Sequence, residues 1–307
     1  MIKKTLGKIA GLLVLLLILS LFVFLLLYIA PGDPAEKRLT SQGVVVTKEV
    51  LQAEQERLGL LKPFFVRYGE WLFGVVRGDF GLSFKDDLPV APKLLQGLKN
   101  TTILATTSLV FSLLVSYPLA FISAFRKNRL ADHIIRIISF IGNSLPNFLI
   151  SVLLMYFFCI KANLLPVIAD GTAQGLILPV LSLSIPTISR FTRQIRSEMI
   201  TQLSEDYVTG MRLRGVKERY IALNVIRNSL GHVITIVGLQ IGMLMGGSVV
   251  IETIFRWPGI GKLVMDSITA RDYPVIMGFV LIMGTIYVVI NQLTDLCYHL
   301  LDPRVRT

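Results

Sequence analysis

The charged side chains of this sequence are most concentrated in the stretch SEDYVTGMRLRGVKERY, residues 204–220. Glu205, Asp206 and Glu218 stand among Arg212, Arg214, Lys217 and Arg219, with Tyr207, Thr209, Gly210 and Met211 between them. These types suit docking by charge complementarity; no nucleophile is paired with a base. Ser204 is placed to cap a helix, and Glu205 and Asp206 fall in its first turn, where negative charge is favoured. Arg212 and Arg214 fall in the last turn, and Gly215 stands where a left-handed residue closes a helix. A second helix over 216–229 follows. The expected element is a helix–Gly–helix hairpin built to stay in water. An ordinary solvated basic loop is the plainer alternative.

Other chemistry is thinly represented. His133, His232 and His299 lie on different apolar segments, and no pair has the i, i+4 spacing of metal ligands. Each reads as an interface residue, so no metal site and no catalytic residue is expected. Cys159 and Cys297 sit inside apolar runs and do not suggest an extracellular disulfide. The segment WPGIGKLV superficially resembles a phosphate loop but lacks the G-x-x-x-x-G-K-[ST] spacing.

The segments that must position the charged stretch are apolar. Mean hydropathy is +0.67, 53% of the 307 residues are hydrophobic and 17% are charged. Soluble domains carry about 25% charged residues. Apolar runs at 9–30, 100–125, 133–160, 174–189, 231–251 and 274–300 approach or exceed the ~20 residues that cross a bilayer core. The first run is too long for a cleaved signal peptide and reads as a retained span. The expectation is an all-α polytopic membrane protein with six transmembrane helices.

Basic residues set the orientation. Lys3, Lys4 and Lys8 precede the first span, Arg126, Lys127 and Arg129 fill the second-to-third connection, and Arg190 to Arg227 holds eight basic and four acidic residues. With six spans these all share one side, together with Arg304 and Arg306, so both termini are cytoplasmic. The net charge of +11 is thereby assigned to the lipid-facing cytoplasmic loops and not to nucleic acid. The domain reading is a first span over 1–30, an extracytoplasmic segment over 31–99, and a five-helix core over 100–307 with a cytoplasmic loop at 190–230. In the external segment a short helix is expected over 49–58. The aromatic stretch from Phe64 to Phe73 reads as a helix lying on the outer membrane surface, or as a docking surface.

Polarity at membrane depth suggests a solute path. Asn143, Ser144, Pro146 and Asn147 fall near the middle of the third span, where Pro146 can kink the helix. Lining and helix packing both fit them. Pro179 and Pro186 suggest a distorted fourth span. Met243 and Met245 lie beside Gly242, Gly246 and Gly247 in the fifth, as packing or as path. Asn291 and Asp295 in the sixth span pair internally or approach the cytoplasm, and Asp295 is the one plainly embedded charge.

The loop EDYVTGMRLRG followed by VIRNSL resembles the cytoplasmic coupling loop of ABC-importer permeases, in the peptide/nickel branch. YIAPGDPA, GDFGLSF, SLPNF, the block VVIETIFRWPGIGKLVMDSITARDYPVIMG and the closing LDPRVR resemble the same branch in the same order, over essentially the whole length. The general importer motif aligns on Gly215, but its first three positions fall on Thr209, Gly210 and Met211, a departure from Glu-Ala-Ala. The resemblance implies a type I ABC importer transmembrane fold in the bacterial inner membrane. It implies a second homologous permease, two cytosolic ATPases that carry ATP and Mg, and an extracytoplasmic substrate-binding protein. This chain would hold no cofactor, and its cargo would be nickel, free or chelated, or di- and oligopeptides. Glu252, Trp257, Pro258, Gly259, Gly261, Asp272 and Pro274 would form an external gate or loop motif.

Two other classes compete. A stand-alone secondary carrier or channel would show embedded charges for coupling ions or inverted repeats with broken helices. An intramembrane enzyme would need a ligand pair such as H-E-x-x-H, which this sequence lacks.

Overall fold

The computed structural model describes residues 2–301, with side chains described over 11–294 apart from 247. The side chains of Lys3, Lys4, Lys8, Asp295, Cys297 and His299, and the tail with Arg304 and Arg306, lie outside the described residues. The chain order is α1 (Ile2–Ile29), α2 (Pro34–Ser41), α3 (Lys48–Arg57), α4 (Phe64–Val76), α5 (Val90–Phe125), α6 (Leu130–Ser144), α7 (Asn147–Met155), a π-turn (Tyr156–Lys161), α8 (Ala173–Leu203), α9 (Asp206–Leu213), α10 (Glu218–Phe255), α11 (Ile260–Ala270) and α12 (Tyr273–Leu301).

Among the described residues five helices are long and apolar enough to cross a membrane: α1, α5, α8, α10 and α12. The sixth candidate is α6 with α7 and the π-turn, bent by 97°. A continuous third span over 133–160 is therefore not what forms. Leu145 takes extended backbone (φ −82°, ψ 131°) because the residue before a proline avoids the helical region. Pro146 then supplies no N–H to the previous turn. The other spans run past their apolar limits: α8 continues through Pro179 and Pro186 to Leu203 as one helix, and α10 starts at Glu218. The expected second loop helix over 216–229 is the first part of α10.

The chain forms two compact units. The first comprises the described residues up to Asn100 together with Pro258–Val289. Val90, Leu94, Ile260 and Val275 make its buried cluster, and Gly97 lets the α5 backbone approach Ile260, where a Cβ would come within 3.0 Å of the Ile260 Cα. Conserving polar satisfaction in this core falls to Asp272, which is nearly fully buried and accepts from Ser83 Oγ at 2.5 Å and from the Phe84 N–H at 2.8 Å. Gly32 adopts φ +93° and abuts the Arg271 guanidinium, so any side chain there would be strained and would also collide. Outside the core, Arg38 and Arg57 both reach Glu54 and Asp87. The aromatic helix α4 is not a free surface helix. It packs on α1 through Phe64 and Tyr68 against Phe24, and through a 2.9 Å hydroxyl pair between Tyr68 and Ser20.

The second unit comprises Thr101–Trp257 with the chain from Ile290 onward. Its helices approach through small residues, which let backbones come close where lipid supplies no hydrophobic drive. Ser108, Ser112, Ser116 and Ser123 are fully buried on one face of α5, and Ser184 Oγ of α8 donates to the Ser108 carbonyl at 3.2 Å. A Cβ on Gly142 of α6 would stand 2.3 Å from Ser189 Oγ of α8.

Candidate functional site

The charged stretch forms the connection between α8 and α10. Ser204 does not cap α9: its hydroxyl turns back and donates to the Ile200 and Thr201 carbonyls, because Ser204 itself ends α8. Glu205 is the N-cap in extended backbone, without a side-chain cap hydrogen bond. Asp206 in the first turn and Arg212 in the last suit the helix dipole.

The C-terminal end of α9 closes as a Schellman motif. The Val216 N–H donates to the Met211 carbonyl at 3.1 Å and the Gly215 N–H to the Arg212 carbonyl at 3.0 Å. Gly215 takes φ +74° with open space where a Cβ would be, so its demand is conformational. The loop is anchored by fully buried Val208, by Tyr207 Oη donating to Gln202 Oε1 at 3.2 Å, and by an exposed Arg212–Glu218 pair at 3.2 Å. Glu205, Asp206, Thr209, Arg212, Arg214 and Gly215 face solvent, and Gly210 and Met211 are half-exposed. Leu213, not singled out in the sequence, is 85% exposed at the tip. Its signal was an apolar residue between two arginines, at a position no apolar periodicity requires.

Below the loop the structure adds a polar lock. Asp132 at the start of α6 is fully buried and meets Arg196 of α8, with Nε to Oδ1 and Nη2 to Oδ2 both at 2.7 Å. Ser123 Oγ and the Asn128 N–H also donate to this carboxylate. A second buried carboxylate, Glu252 of α10, accepts from Thr101 Oγ1 at 2.6 Å and Ser248 Oγ at 2.9 Å.

The sequence-based path residues divide. Asn143 and Ser144 end α6, Pro146 and Asn147 follow the bend, and Ser144 Oγ donates to the Phe140 carbonyl at 2.8 Å. Met245 is buried in packing, whereas Met243 is 58% exposed beside Arg190, whose Nη1 lies 3.5 Å from its sulfur. Arg190 Nη1 also donates to Gln240 Oε1 at 3.3 Å. Gln240 lies in the middle of the apolar stretch 231–251, roughly 15 Å from either end at the helical rise. Arg190 thus lies inside α8, a helix long and apolar enough to span, whereas charge counting groups it with the cytoplasmic loop.

The remaining motif residues have separate places. Trp257 is buried, the Pro258 carbonyl accepts from Asn100 Nδ2 at 2.8 Å, Gly259 is the N-cap of α11, Gly261 is buried within that helix, and Pro274 is the second residue of α12. His232 Nδ1 lies 4.0 Å from Glu198, and among the described residues no three His, Cys, Asp or Glu groups gather as metal ligands.

Comparison with known proteins agrees with this architecture. Residues 116–307 match the family "Binding-protein-dependent transport system inner membrane component", and residues 1–105 match the N-terminal membrane-component family of the same systems. The chain is 36% identical to the metal-staphylopine import system permease protein CntB of Staphylococcus aureus, covering 100% of this chain and 99% of that protein. It is 37% identical to the nickel import system permease protein NikB of the same species, covering 99% and 92%. It is 34% identical to the glutathione transport system permease protein GsiC of Escherichia coli, covering 100% and 99%. Among solved structures it is similar in fold to an amino acid ABC transporter (TM-score 0.56, 14% identity, 68% of this chain and 94% of that chain). It is similarly related to an inward-facing MetNI methionine ABC transporter (TM-score 0.54, 15% identity, 68% and 96%). The chain therefore belongs to the binding-protein-dependent transport system inner membrane component family, as a multi-pass inner-membrane permease subunit of an ABC importer.

Proposed function

We propose that this permease pairs with a second, homologous permease and two cytosolic ATPases, and that α9 with its Gly215 closure is the handle through which nucleotide-driven ATPase closure moves the spans. The observation that carries the reading is the exposed tip of α9. Leu213 stands free between Arg212 and Arg214 on a loop whose backbone is fixed by the Schellman closure and by buried Val208. An apolar residue 85% exposed on a rigid, charged element fits a groove on a partner better than it fits water. ATP and Mg belong to the partner ATPases, and this chain carries no cofactor of its own.

The cargo reading is a small solute of the nickel-chelate or short-peptide class, received from an extracytoplasmic binding protein. The support is the cargo named for the relatives: metal-staphylopine, nickel and glutathione. The bend at Asn143–Asn147 and the Arg190–Gln240–Met243 group are the polar features at membrane depth that such a solute would meet.

Purification of the tagged chain from its native membrane in mild detergent, with partner identification by mass spectrometry, tests the assembly. A second permease and two ATPase copies in fixed ratio are expected. A chain that emerges alone and still moves solute in liposomes would contradict the reading.

A further inference from the structure

The extracytoplasmic part of the first unit contains a pocket of about 340 Å³ that the transport reading does not use. Its floor is apolar, with Phe24 of α1, Phe80, Pro274 and Met277 of α12. Arg67 and Trp71, one helical turn apart on α4, supply its wall.

The charges around it are already satisfied, with one exception. Asp87 is held by Arg38 and Arg57, Arg57 also by Glu54, and Glu70 by Lys62 at 2.7 Å. Arg67 is half-buried and meets no carboxylate among the described residues; its guanidinium lies 5.7 Å from the Phe24 ring. Burial pushes its pKa down from the ordinary arginine value. The Trp71 indole N–H is shielded from solvent and has no hydrogen-bond acceptor. That N–H faces no open space, whereas the half-desolvated Arg67 cation lines the pocket and calls for an oxyanion.

Depth identifies its carrier. Phe24 is five residues before the outer end of α1, and Met277 is four residues into α12. At about 1.5 Å per residue both lie within roughly 8 Å of the outer helix ends. That is the headgroup layer, where aromatic residues concentrate. Behind the floor, Phe64 and Tyr68 pack on Phe24, and Tyr28 on Phe64.

We propose that this pocket is a binding site for an outer-leaflet phospholipid, with the phosphate received by Arg67 and the glycerol and upper acyl chain lying over Phe24 and Met277. The bound lipid fixes α4 against the outer end of α1.

The test uses the intact transporter extracted from its native membrane, with bound lipid read by native mass spectrometry. The delipidated complex is then titrated with dioleoyl phosphatidylglycerol, with inorganic phosphate present as competitor. Retention of phospholipid is expected, weakened about tenfold in Arg67→Gln, as for loss of one charge-assisted contact. Arg67→Lys, which keeps the charge but not the planar fork, is expected to weaken it by a smaller factor, and provides the reading if Arg67→Gln does not assemble. Millimolar phosphate should not displace the lipid. Equal retention in wild type and both variants, or a wild-type complex that neither retains nor takes up phospholipid, would overturn the proposal. Displacement by inorganic phosphate alone would overturn the lipid assignment in favour of a free-anion site.

Discussion

Asp132 and Arg196 close a two-pronged ion pair, 2.7 Å on each arm, with the carboxylate fully buried and the arginine side chain 17% exposed. The pair ties the turn between α5 and α6 to the part of α8 that leads into α9. Every lone pair of Asp132 has a donor, from Arg196, Ser123 or the Asn128 N–H. Such a pair contributes less through its attraction than through what breaking it exposes.

Replacing Arg196 alone by Met should therefore destabilise the subunit by about 3–5 kcal/mol, since Asp132 is left buried without its cation. Asp132→Leu with Arg196→Met should recover a large part of that loss. Thermal unfolding of the purified complex in detergent checks both. A double variant no more stable than the single would contradict this account of the pair.

Gly32→Ala should destabilise the external segment by about 1–2 kcal/mol or more, from the left-handed backbone alone. The collision with Arg271 adds to that. Removing the guanidinium in an Arg271→Ala background should relieve the collision and leave the backbone cost. Limited proteolysis within residues 31–99 measures it.

Acidification should loosen the same segment. The Arg38 guanidinium, with Arg57, holds the Asp87 carboxyl at about 2, against an ordinary 3.8. A depressed folded-state pKa means the stabilisation is present above about pH 4 and is lost as pH falls towards 2. Asp272 works in the opposite sense: burial pushes its carboxyl up, so its contribution is largest below the unfolded value and declines as pH rises through the folded one. Hydrogen exchange over 31–99 at pH 5 and pH 2.5 should show the loss, and Asp87→Asn should reduce the difference between them.

Arg190→Gln should lower uptake about tenfold, the scale of one charge-assisted contact, while leaving assembly with the ATPases intact. An arginine at membrane depth costs about 2.5–3.5 kcal/mol on insertion scales and faces a cavity or a partner when it persists. Unchanged uptake in proteoliposomes would remove Arg190 from the path.

What the sequence disclosed was local or periodic. The apolar stretches located the spanning helices, and Gly215 was legible because a helix end after Arg212 and Arg214 has few ways to close. Pro146 announced a kink, but the 97° bend depends on what packs on either side of it. Met243 and Met245 could not both face one surface, because residues two apart on a helix point about 200° apart. Charge counting groups Arg190 with its basic neighbours in sequence, whereas the structure places it inside α8, in contact with Gln240 of α10. Asp132–Arg196 and Asp272–Ser83 join residues far apart in the chain, and no spacing rule anticipates them. The motifs YIAPGDPA, GDFGLSF and ARDYP stand apart in the chain; the structure brings them together through Gly32–Arg271 and Asp272–Ser83.

The coupling role of α9 is tested most directly by the ratio of ATP hydrolysed to cargo moved in proteoliposomes carrying Gly215→Val. Valine is strained at φ +74°, while open space means nothing else is disturbed. The account predicts an assembled transporter that hydrolyses ATP with uptake reduced at least tenfold, the scale of a lost 1.4 kcal/mol. Wild-type uptake per ATP would contradict it, and the charged stretch would then be only a solvated loop.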